Sequence, residues 1–332
     1  MLMITESKLQ EIYEAVKTPY KYGAVIKCDG VLNDSPVVFR DGDKWYMSYI
    51  EIDAACKTGY RTFLAESDDL IHFRRVTEIL TEKCDWDKSQ CGGYAQMIDN
   101  TFGGDNRIRK IDGKYVFAFI GGCLNGYETD PLSLGLCTAA VLTDDTTYRK
   151  QPKPILSGSD ADAREGETLT IYKPAMFEDP EMTLGHRYVC CYNAKGPNHR
   201  ESIYLAVSDD GICWKRYGDR AVIDIRDSAD SVRINGDPQI VRMMDVYVMF
   251  YFVHEPGVNT YNTFAVSEDL LHWTKWRGKP LVEREYPWED VYAHKQWILK
   301  HDDVVYHYYC AVNSKKERFI ALATSKQILS EE

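Results

Sequence analysis

The sequence predicts an all-β protein, a five-bladed β-propeller with a short N-terminal helix. The 332 residues include 23 Tyr and 7 Trp, and a high aromatic content is typical of β-structure. Two apolar segments joined by a polar turn occur five times, as in "DSPVVFRDGDKWYMSYI", and this pattern predicts a β-hairpin. A third strand-like segment, such as "NTFAVSEDLLHW", follows each hairpin. Repeats of this length indicate radial repetition of one blade, and the predicted blades begin near residues 34, 105, 173, 237 and 294.

The predicted propeller occupies residues 23–332, and residues 1–22 form a separate helical segment. In that segment Ser7 and Gln10 are a candidate capping box. Four apolar residues follow with the spacing of one helix face, namely Leu9, Ile12, Tyr13 and Val16. The fifth repeat ends after its third strand, so the segment "GAVIKCDG" at 23–30 is predicted to add the fourth strand and close the ring.

Charge and composition exclude several classes of partner. The formal charge of −11 argues against nucleic acid and against an anionic membrane surface as binding partners.

The sequence has no apolar run of membrane-spanning length, and it has no basic segment followed by an apolar one at its start. We therefore expect a cytoplasmic protein whose ten cysteines are thiols. It also has no Cys-x-x-Cys, His-Glu-x-x-His or EF-hand pattern, so we expect no required metal or other cofactor.

The first strand of each blade brings an ionisable residue to the central axis. If all five strands enter from the same face, five side chains converge on one mouth: Asp34, Asp105, Lys173, Asp237 and His294. This convergence favours a functional site over the alternative, a buried ion-pair plug. The recurrent Ser-x-Asp turn after the third strand is interpreted instead as structural, because Ser and Asp side chains accept hydrogen bonds from turn amides.

The loops between the second and third strands return to the same face. These loops carry polar and charged residues that would lie near the mouth, namely Glu51, Asp53, Glu128, Asn193, Lys195, Glu201, His254, Glu255, Asn313, Glu317 and Arg318. Most are expected to be solvated loop residues. Glu201 is the exception, because an Asn-Ala-Lys bend precedes it and a strand follows directly.

Four stretches resemble the five-bladed propeller glycoside hydrolases, the group of families 43, 32, 62, 117 and 130. They are "NDSPVVF…GDKWYMSY", "YNAK…ESIYLAVSDDGICWKR", "GDPQIVRMMDVYVMFYF…FAVSEDLLHWTKW" and "AHKQWILKHDDVVYHYYCAV", and the resemblance covers residues 23 to 327. The sequence looks most like family-43-like proteins. The resemblance implies that Asp34 is the general base or nucleophile. It departs at Lys173, where family 43 has Asp, and at Asp237, where family 43 has Glu, so the family-43 triad does not transfer whole.

The resemblance therefore implies an exo-acting, inverting glycosidase that cleaves short plant- or microbe-derived oligosaccharides. Cleavage needs one protonated and one ionised carboxyl group, and Asp34 with either Glu201 or Asp237 provides them. The remaining candidate residues are assigned to the substrate: Asp105, Arg107, Lys173, Asn193, Lys195, Arg233, His254, His294, Lys295 and Trp297. Among them Trp297 is expected to stack on a sugar, and the cations are expected to hold ionised partners or an anionic group of the substrate.

Two other functions fit the same residues. In a phosphorylase similar to family 130, Lys173, Lys295 and Arg233 would hold inorganic phosphate. In a non-catalytic sugar-binding propeller, Asp34 would contribute to binding alone. Some relatives hold an axial calcium ion near a fifth-blade histidine, and His294 occupies that place here, although we expect no metal requirement.

Overall fold

The computed structural model describes residues 4–95 and 97–328, nearly all of them in β-structure or its connections. The α-helix of the described residues, α1 (Glu6–Val16), begins after Thr5, whose side chain accepts the backbone N–H of Lys8 at 3.2 Å. This cap replaces the predicted pair Ser7 and Gln10. The helix has 11 residues, and no helix among those described is long and apolar enough to cross a membrane.

The described strands form a leading strand and five units of antiparallel strands, of which units III and IV are joined in one sheet by a parallel bridge between Glu201 and Ile234. The leading strand is β1 (Tyr20–Ile26). Unit I contains β2 (Val31–Asp41), β3 (Lys44–Asp53), β4 (Arg61–Ser67) and β5 (Arg74–Ile79). Unit II contains β6 (Gln90–Ala95), β7 (Tyr115–Gly122), β8 (Ser133–Ala139) and β9 (Arg149–Lys150). Unit III contains β10 (Thr170–Glu178), β11 (Tyr188–Lys195), β12 (Glu201–Ser208) and β13 (Lys215–Tyr217). Unit IV contains β14 (Ile234–Met243), β15 (Val246–Glu255), β16 (Asn259–Ser267), β17 (Thr274–Lys275) and β18 (Val282–Glu283). Unit V contains β19 (Tyr292–His301), β20 (Val304–Val312) and β21 (Arg318–Thr324).

The units close on themselves, which confirms the predicted propeller. Each unit packs against the next, through β3 with β6, β7 with β10, β11 with β14 and β16 with β19, and unit V packs back on unit I through β21 and β2. β1 pairs antiparallel with β21 and thereby gives unit V its fourth strand. The sequence predicts this strand at residues 23–30, whereas the structure has it at Tyr20–Ile26. Closure leaves β21 without a free edge.

The innermost strand of four units is interrupted at the same place by a β-bulge. The bulged residues Ser35, Lys173, Asp237 and Lys295 all have φ between 51° and 56°. Such left-handed backbone is uncommon outside glycine, and strand bulges re-aim side chains next to functional sites. The bulge corrects the predicted alignment by one residue: Ser35 is equivalent to Lys173 and Asp237, and Asp34 is equivalent to His294.

Unit II differs from the prediction. Its innermost strand is β6, not a strand beginning at residue 105. Two glycines conceal β6 in the sequence, because glycine has a low strand propensity. Both glycines are closely packed, since a Cβ on Gly92 would lie 2.6 Å from Ile50 Cδ1 and one on Gly93 would lie 2.6 Å from Leu80 Cδ1, so a larger residue would require these side chains to move.

Asp105 and Arg107 lie in the connection between β6 and β7, away from the predicted mouth. Arg107 forms an isolated bridge with Arg40, near the end of β2 remote from Asp34. Asp105 forms an ion pair with Arg109 at 2.9 Å. The prediction that a strand beginning at residue 105 brings Asp105 to the mouth is therefore wrong. The assignment of Asp105 and Arg107 to the substrate stays a prediction, which their position does not favour.

The Ser-x-Asp turns have the predicted structural role. In unit IV the Asp269 carboxylate accepts hydrogen bonds from the backbone N–H groups of Leu271 at 2.9 Å and His272 at 2.8 Å and from the hydroxyl of Ser267 at 3.1 Å.

We expect Asp269→Ala to lower the free energy of unfolding by about 1–2 kcal/mol, because turn amides lose their acceptor. The adjacent exposed Glu268→Ala is the control and should change it by less than about 0.5 kcal/mol. Equal urea midpoints for the two variants would contradict this role.

Candidate active site

A cavity of about 150 Å³ opens at the face where the interrupted strands β10, β14 and β19 converge. Its volume is roughly ten times the minimum that holds one water molecule, so it can accept a small ligand. The ionisable side chains of its lining, tyrosines aside, are Glu128, Glu201, Asp237, His254, His294, Lys295 and Arg318. Tyr127, Tyr172, Phe252 and Tyr292 add aromatic surface.

The two lysines of the bulges are neutralised by carboxylates of the protein itself. Lys295 Nζ lies 3.0 Å from Asp34 Oδ2 and 2.6 Å from Glu128 Oε1. Lys173 Nζ lies 2.8 Å from the same Glu128 oxygen and 2.9 Å from Ser35 Oγ. Both lysines are almost fully buried, and buried charges persist only when they are paired in this way. The predicted contact of these lysines with a substrate anion is therefore not favoured by the geometry.

Asp34 lies behind the cavity wall and is saturated with hydrogen bonds. It accepts the backbone N–H of Ser35 at 2.8 Å, the Tyr127 hydroxyl, Lys295 Nζ and Arg318 Nη1 at 3.3 Å. Burial opposes its ionisation, but Lys295, Arg318 and Lys173 outweigh burial and hold the pKa of Asp34 well below its usual range. Asp34 is thus a fixed negative charge, and it is 1% exposed.

Glu128 is the ionised carboxylate that reaches the cavity. It lies on the loop between β7 and β8, and its side chain is 20% exposed. Burial raises the pKa of Glu128, but Lys173 and Lys295 lower it by more, so the net pKa is below the ordinary value. Glu128 therefore presents a stable negative charge at the cavity surface.

Glu201 has the opposite protonation. It is the first residue of β12 and is 6% exposed. Burial raises the pKa of Glu201 to about 7, and the nearby charge of Glu128 contributes to the rise. Asn193 Nδ2 donates to Glu201 Oε2 at 2.7 Å, while Asn193 Oδ1 accepts the backbone N–H of Asp237 at 3.2 Å. Near neutral pH, Glu201 can carry a proton.

Asp237 is a second carboxyl group with a raised pKa. Burial raises the pKa of Asp237 to about 6, although Lys173 and Lys295 oppose the rise. Carboxyl groups whose environments push their pKa values apart are the arrangement that acid–base catalysis requires. Here Glu201 and Asp237 retain protons more readily than Glu128 and Asp34.

The two histidines of the lining are neutral. The Arg318 guanidinium donates to His294 Nε2 at 3.3 Å, which places the ring proton on Nδ1. Burial and the charges of Arg318 and Lys295 hold the pKa of His294 well below its usual range. Burial likewise lowers the pKa of His254, whose Nδ1 lies 2.7 Å from Thr260 Oγ1.

The surroundings of His294 do not fit an axial calcium ion. Calcium takes six to eight oxygen ligands, whereas His294 faces the cation Arg318. Across the described part of the protein, no group of three or more His, Cys, Asp or Glu residues could hold a metal ion.

Four further predicted substrate residues do not line the cavity. Trp297 donates its indole N–H to the Val38 carbonyl at 2.8 Å and lines separate cavities, because it follows the bulge on the side remote from the mouth. Lys195 forms an ion pair with Asp130 at 3.0 Å. Arg233 is exposed and contributes through its backbone alone. Asn193 is buried, and its side chain donates a hydrogen bond to Glu201, which lines the cavity.

Five residues line the cavity although the sequence does not predict them as site residues. They are Glu128, Tyr127, Tyr172, Tyr292 and Arg318. Glu128 and Arg318 carried a partial signal, because they occupy the same kind of loop as Glu201. For the tyrosines no local signal exists, since the sequence has 23 of them and most tyrosines in strands belong to the core.

Solved structures resemble this protein over nearly its whole length. A structure of BT0996, described as an RGII complex, shares 39% identity and a TM-score of 0.92, over 98% of this sequence and 97% of that one. A second, described as "Glycoside hydrolase", shares 39% identity and a TM-score of 0.91 over the same fractions. A thermostable family-43 glycoside hydrolase shares the fold, with 14% identity and a TM-score of 0.64 over 93% of this sequence and 97% of that one. No protein-family profile and no curated protein sequence matches.

Proposed function

Since this protein belongs to the glycoside hydrolases, we propose that it removes a terminal sugar from an oligosaccharide, with Glu201 as general acid and Glu128 as the ionised carboxylate. The observation that carries this assignment is the opposite protonation of two carboxyl groups in one cavity. The pKa of Glu201 is raised to about 7, and that of Glu128 is lowered by two lysines. Glycoside cleavage requires one such protonated and one such ionised group.

The roles follow from the contacts of each group. Glu201 donates its proton to the glycosidic oxygen as the bond to the anomeric carbon breaks. Glu128 takes a proton from the water that attacks that carbon. Lys173 and Lys295 hold the Glu128 carboxylate in place through one oxygen, Oε1. Asp237 is a third carboxyl group of the same cavity, and its charge helps to keep the pKa of Glu201 high.

The sequence assigns the base to Asp34, and that assignment stays a prediction. The geometry favours Glu128, because Asp34 does not line the cavity and is already bonded to four donors. In this proposal Asp34 is a positioning residue that holds Lys295, and through Lys295 it holds Glu128.

We propose exo action, as the resemblance to the propeller glycoside hydrolases implies. The ion pairs of Glu128 with Lys173 and Lys295 lie on the axial side of the cavity. For the stereochemistry we propose inversion, as the resemblance implies, with a water molecule attacking the anomeric carbon directly. For the substrate we propose an oligosaccharide of RGII, since the similar protein at 39% identity was solved as an RGII complex. We place this activity in the cytoplasm and propose that it needs no cofactor.

Phosphorolysis has less support than hydrolysis. The two lysines that would hold phosphate are paired with Glu128 and Asp34, and Arg233 does not line the cavity. A non-catalytic binding role would not require the separated pKa values of Glu128 and Glu201.

The test is the release of sugar from RGII oligosaccharides and from aryl glycosides. We expect equal rates with and without phosphate and with and without a chelator, and a first-formed product of inverted anomeric configuration by NMR. A requirement for phosphate would indicate phosphorolysis. A loss of activity on chelation that calcium restores would contradict catalysis without a metal. Binding without any release would indicate a sugar-binding protein.

A further inference from the structure

A second depression, which we call the outer groove, lies next to the axial cavity. The outer groove has a volume of about 260 Å³ and lies between residues 255–259, at the turn joining β15 and β16, and the segment 284–292. Three residues line both the cavity and the groove, namely His254, Thr260 and Tyr292. The cavity and the groove are therefore adjacent, with these residues between them.

His254 and Tyr292 form the partition between the two spaces. Their rings lie 5.5 Å apart at 82°, an edge-to-face pair. The bond between His254 Nδ1 and Thr260 Oγ1 fixes the imidazole, and burial keeps it neutral by lowering its pKa. Aromatic rings with polar atoms at their tips offer both an apolar surface and hydrogen-bonding groups. A sugar ring has the matching features, an apolar face of C–H groups and hydroxyl groups around its edge.

The proposed acid lines the same cavity as the partition residues His254 and Tyr292. Glu201 donates its backbone N–H to the Arg233 carbonyl at 2.9 Å, and Arg233 donates to the His254 carbonyl at 2.9 Å. Glu201 and His254 thus flank the Arg233–Ile234 segment on either side, about 10 Å apart by two strand spacings. A general acid must contact the oxygen between the two sugars that it separates, so that oxygen lies in the axial cavity, and the sugar beyond it must extend past the lining shared with the groove.

Resting on the proposed function, we propose that the outer groove binds the leaving-group sugar of the substrate through its hydroxyl groups. The terminal sugar occupies the cavity, and the next sugar lies beyond His254 and Tyr292. The groove is not built for an acidic sugar, because Arg284, the cation of its described lining, already donates to the carbonyls of Val258 at 2.7 Å and Asp290 at 3.5 Å. Glu255 and Asp290 add negative charge to the same lining.

The test measures binding of an RGII oligosaccharide to the Glu201→Gln protein by calorimetry. Val258 is 57% exposed at the groove, and Val258→Trp would fill the groove. The matched control is Val141→Trp, because Val141 is 48% exposed in the turn after β8, at the end of unit II away from Glu128. We expect Val258→Trp to raise Kd at least 10-fold and Val141→Trp to change it less than 2-fold. Pro256→Trp provides a second block if Val258→Trp lowers the melting temperature.

Equal affinities for the groove variants and the control would overturn the proposal, as would a failure of the oligosaccharide to bind at all. Carboxyl-reduced oligosaccharide is expected to bind as tightly as the native form, and binding of the native acid alone would contradict recognition by hydroxyl groups. Hydrolysis by the unmodified enzyme is measured separately. If it is absent while Val258→Trp still weakens binding, the proposed function fails and the outer groove stands as a sugar site.

Discussion

Glu201→Gln is expected to lower kcat by about 10²–10⁴-fold on an oligosaccharide, the typical contribution of a positioned general acid. Glutamine preserves the size of the side chain and its place next to Asn193, but it cannot give a proton to the leaving oxygen. The loss should be much smaller on a dinitrophenyl glycoside, because that leaving group departs without protonation. A structural role of Glu201 would instead reduce both rates equally.

The dependence of the rate on pH provides a second test of Glu201 as the general acid. The acid must be protonated to act, and the pKa of Glu201 is raised to about 7. Activity of the natural enzyme should therefore fall as pH rises through about 7, and this alkaline limb should disappear in Glu201→Gln.

The matched control is Glu317→Gln. Asn313 donates to Glu317 at 2.6 Å as Asn193 donates to Glu201 at 2.7 Å, but the Glu317 side chain is 41% exposed. Hydrogen bonds from Asn313 and Lys27 lower the pKa of Glu317. We expect Glu317→Gln to leave the rate and the pH profile unchanged. A loss on Glu317→Gln as large as that on Glu201→Gln would show that an Asn–Glu pair, and not an acid, is needed.

Lys295→Met is expected to lower the free energy of unfolding by about 3–5 kcal/mol, the cost of leaving a buried charge without its partner. Lys295 is 4% exposed and contacts Asp34, Glu128 and the Tyr127 hydroxyl. Methionine fills most of the volume of the lysine side chain, but it leaves the carboxylates of Asp34 and Glu128 without the charge of Lys295. Urea denaturation at pH 7 measures the loss, and adding Asp34→Asn should recover part of it because the number of unpaired charges falls.

Lys300→Met is the control on the same strand, β19. Lys300 is 36% exposed and pairs with Asp303 at 3.5 Å, and such surface pairs contribute about 0–1 kcal/mol. Comparable losses for Lys300→Met and Lys295→Met would mean that the central ion cluster contributes no special stability.

The repeat could be read from the sequence because each blade contains its own local pattern of hairpin and turn. The strand β6 could not, because Gly92 and Gly93 weaken its local strand pattern, and the side chains that they contact, Ile50 and Leu80, lie outside the strand. The incorrect placement of Asp105 follows from this, because the hairpin-like segment that begins at residue 105 has a clearer strand pattern than β6.

The site was predictable where a carboxyl group begins or interrupts a strand, as at Glu201 and Asp237. Glu128 was not, because its loop position alone does not reveal that Lys173 and Lys295 meet it. The one-residue offset between Asp34 and Asp237 arises from the bulges, and the prolines after Ser35, Lys173 and Asp237 were the available signal for it.

The most direct test of the central claim is a crystal structure of Glu201→Gln with a bound RGII oligosaccharide. We predict that the side chain at position 201 lies about 2.6–3.2 Å from the glycosidic oxygen, that Glu128 is the carboxylate nearest the anomeric carbon, and that Asp34 does not contact the sugar. A sugar bound outside the axial cavity, or one whose anomeric carbon faces Asp34 instead of Glu128, would contradict the account.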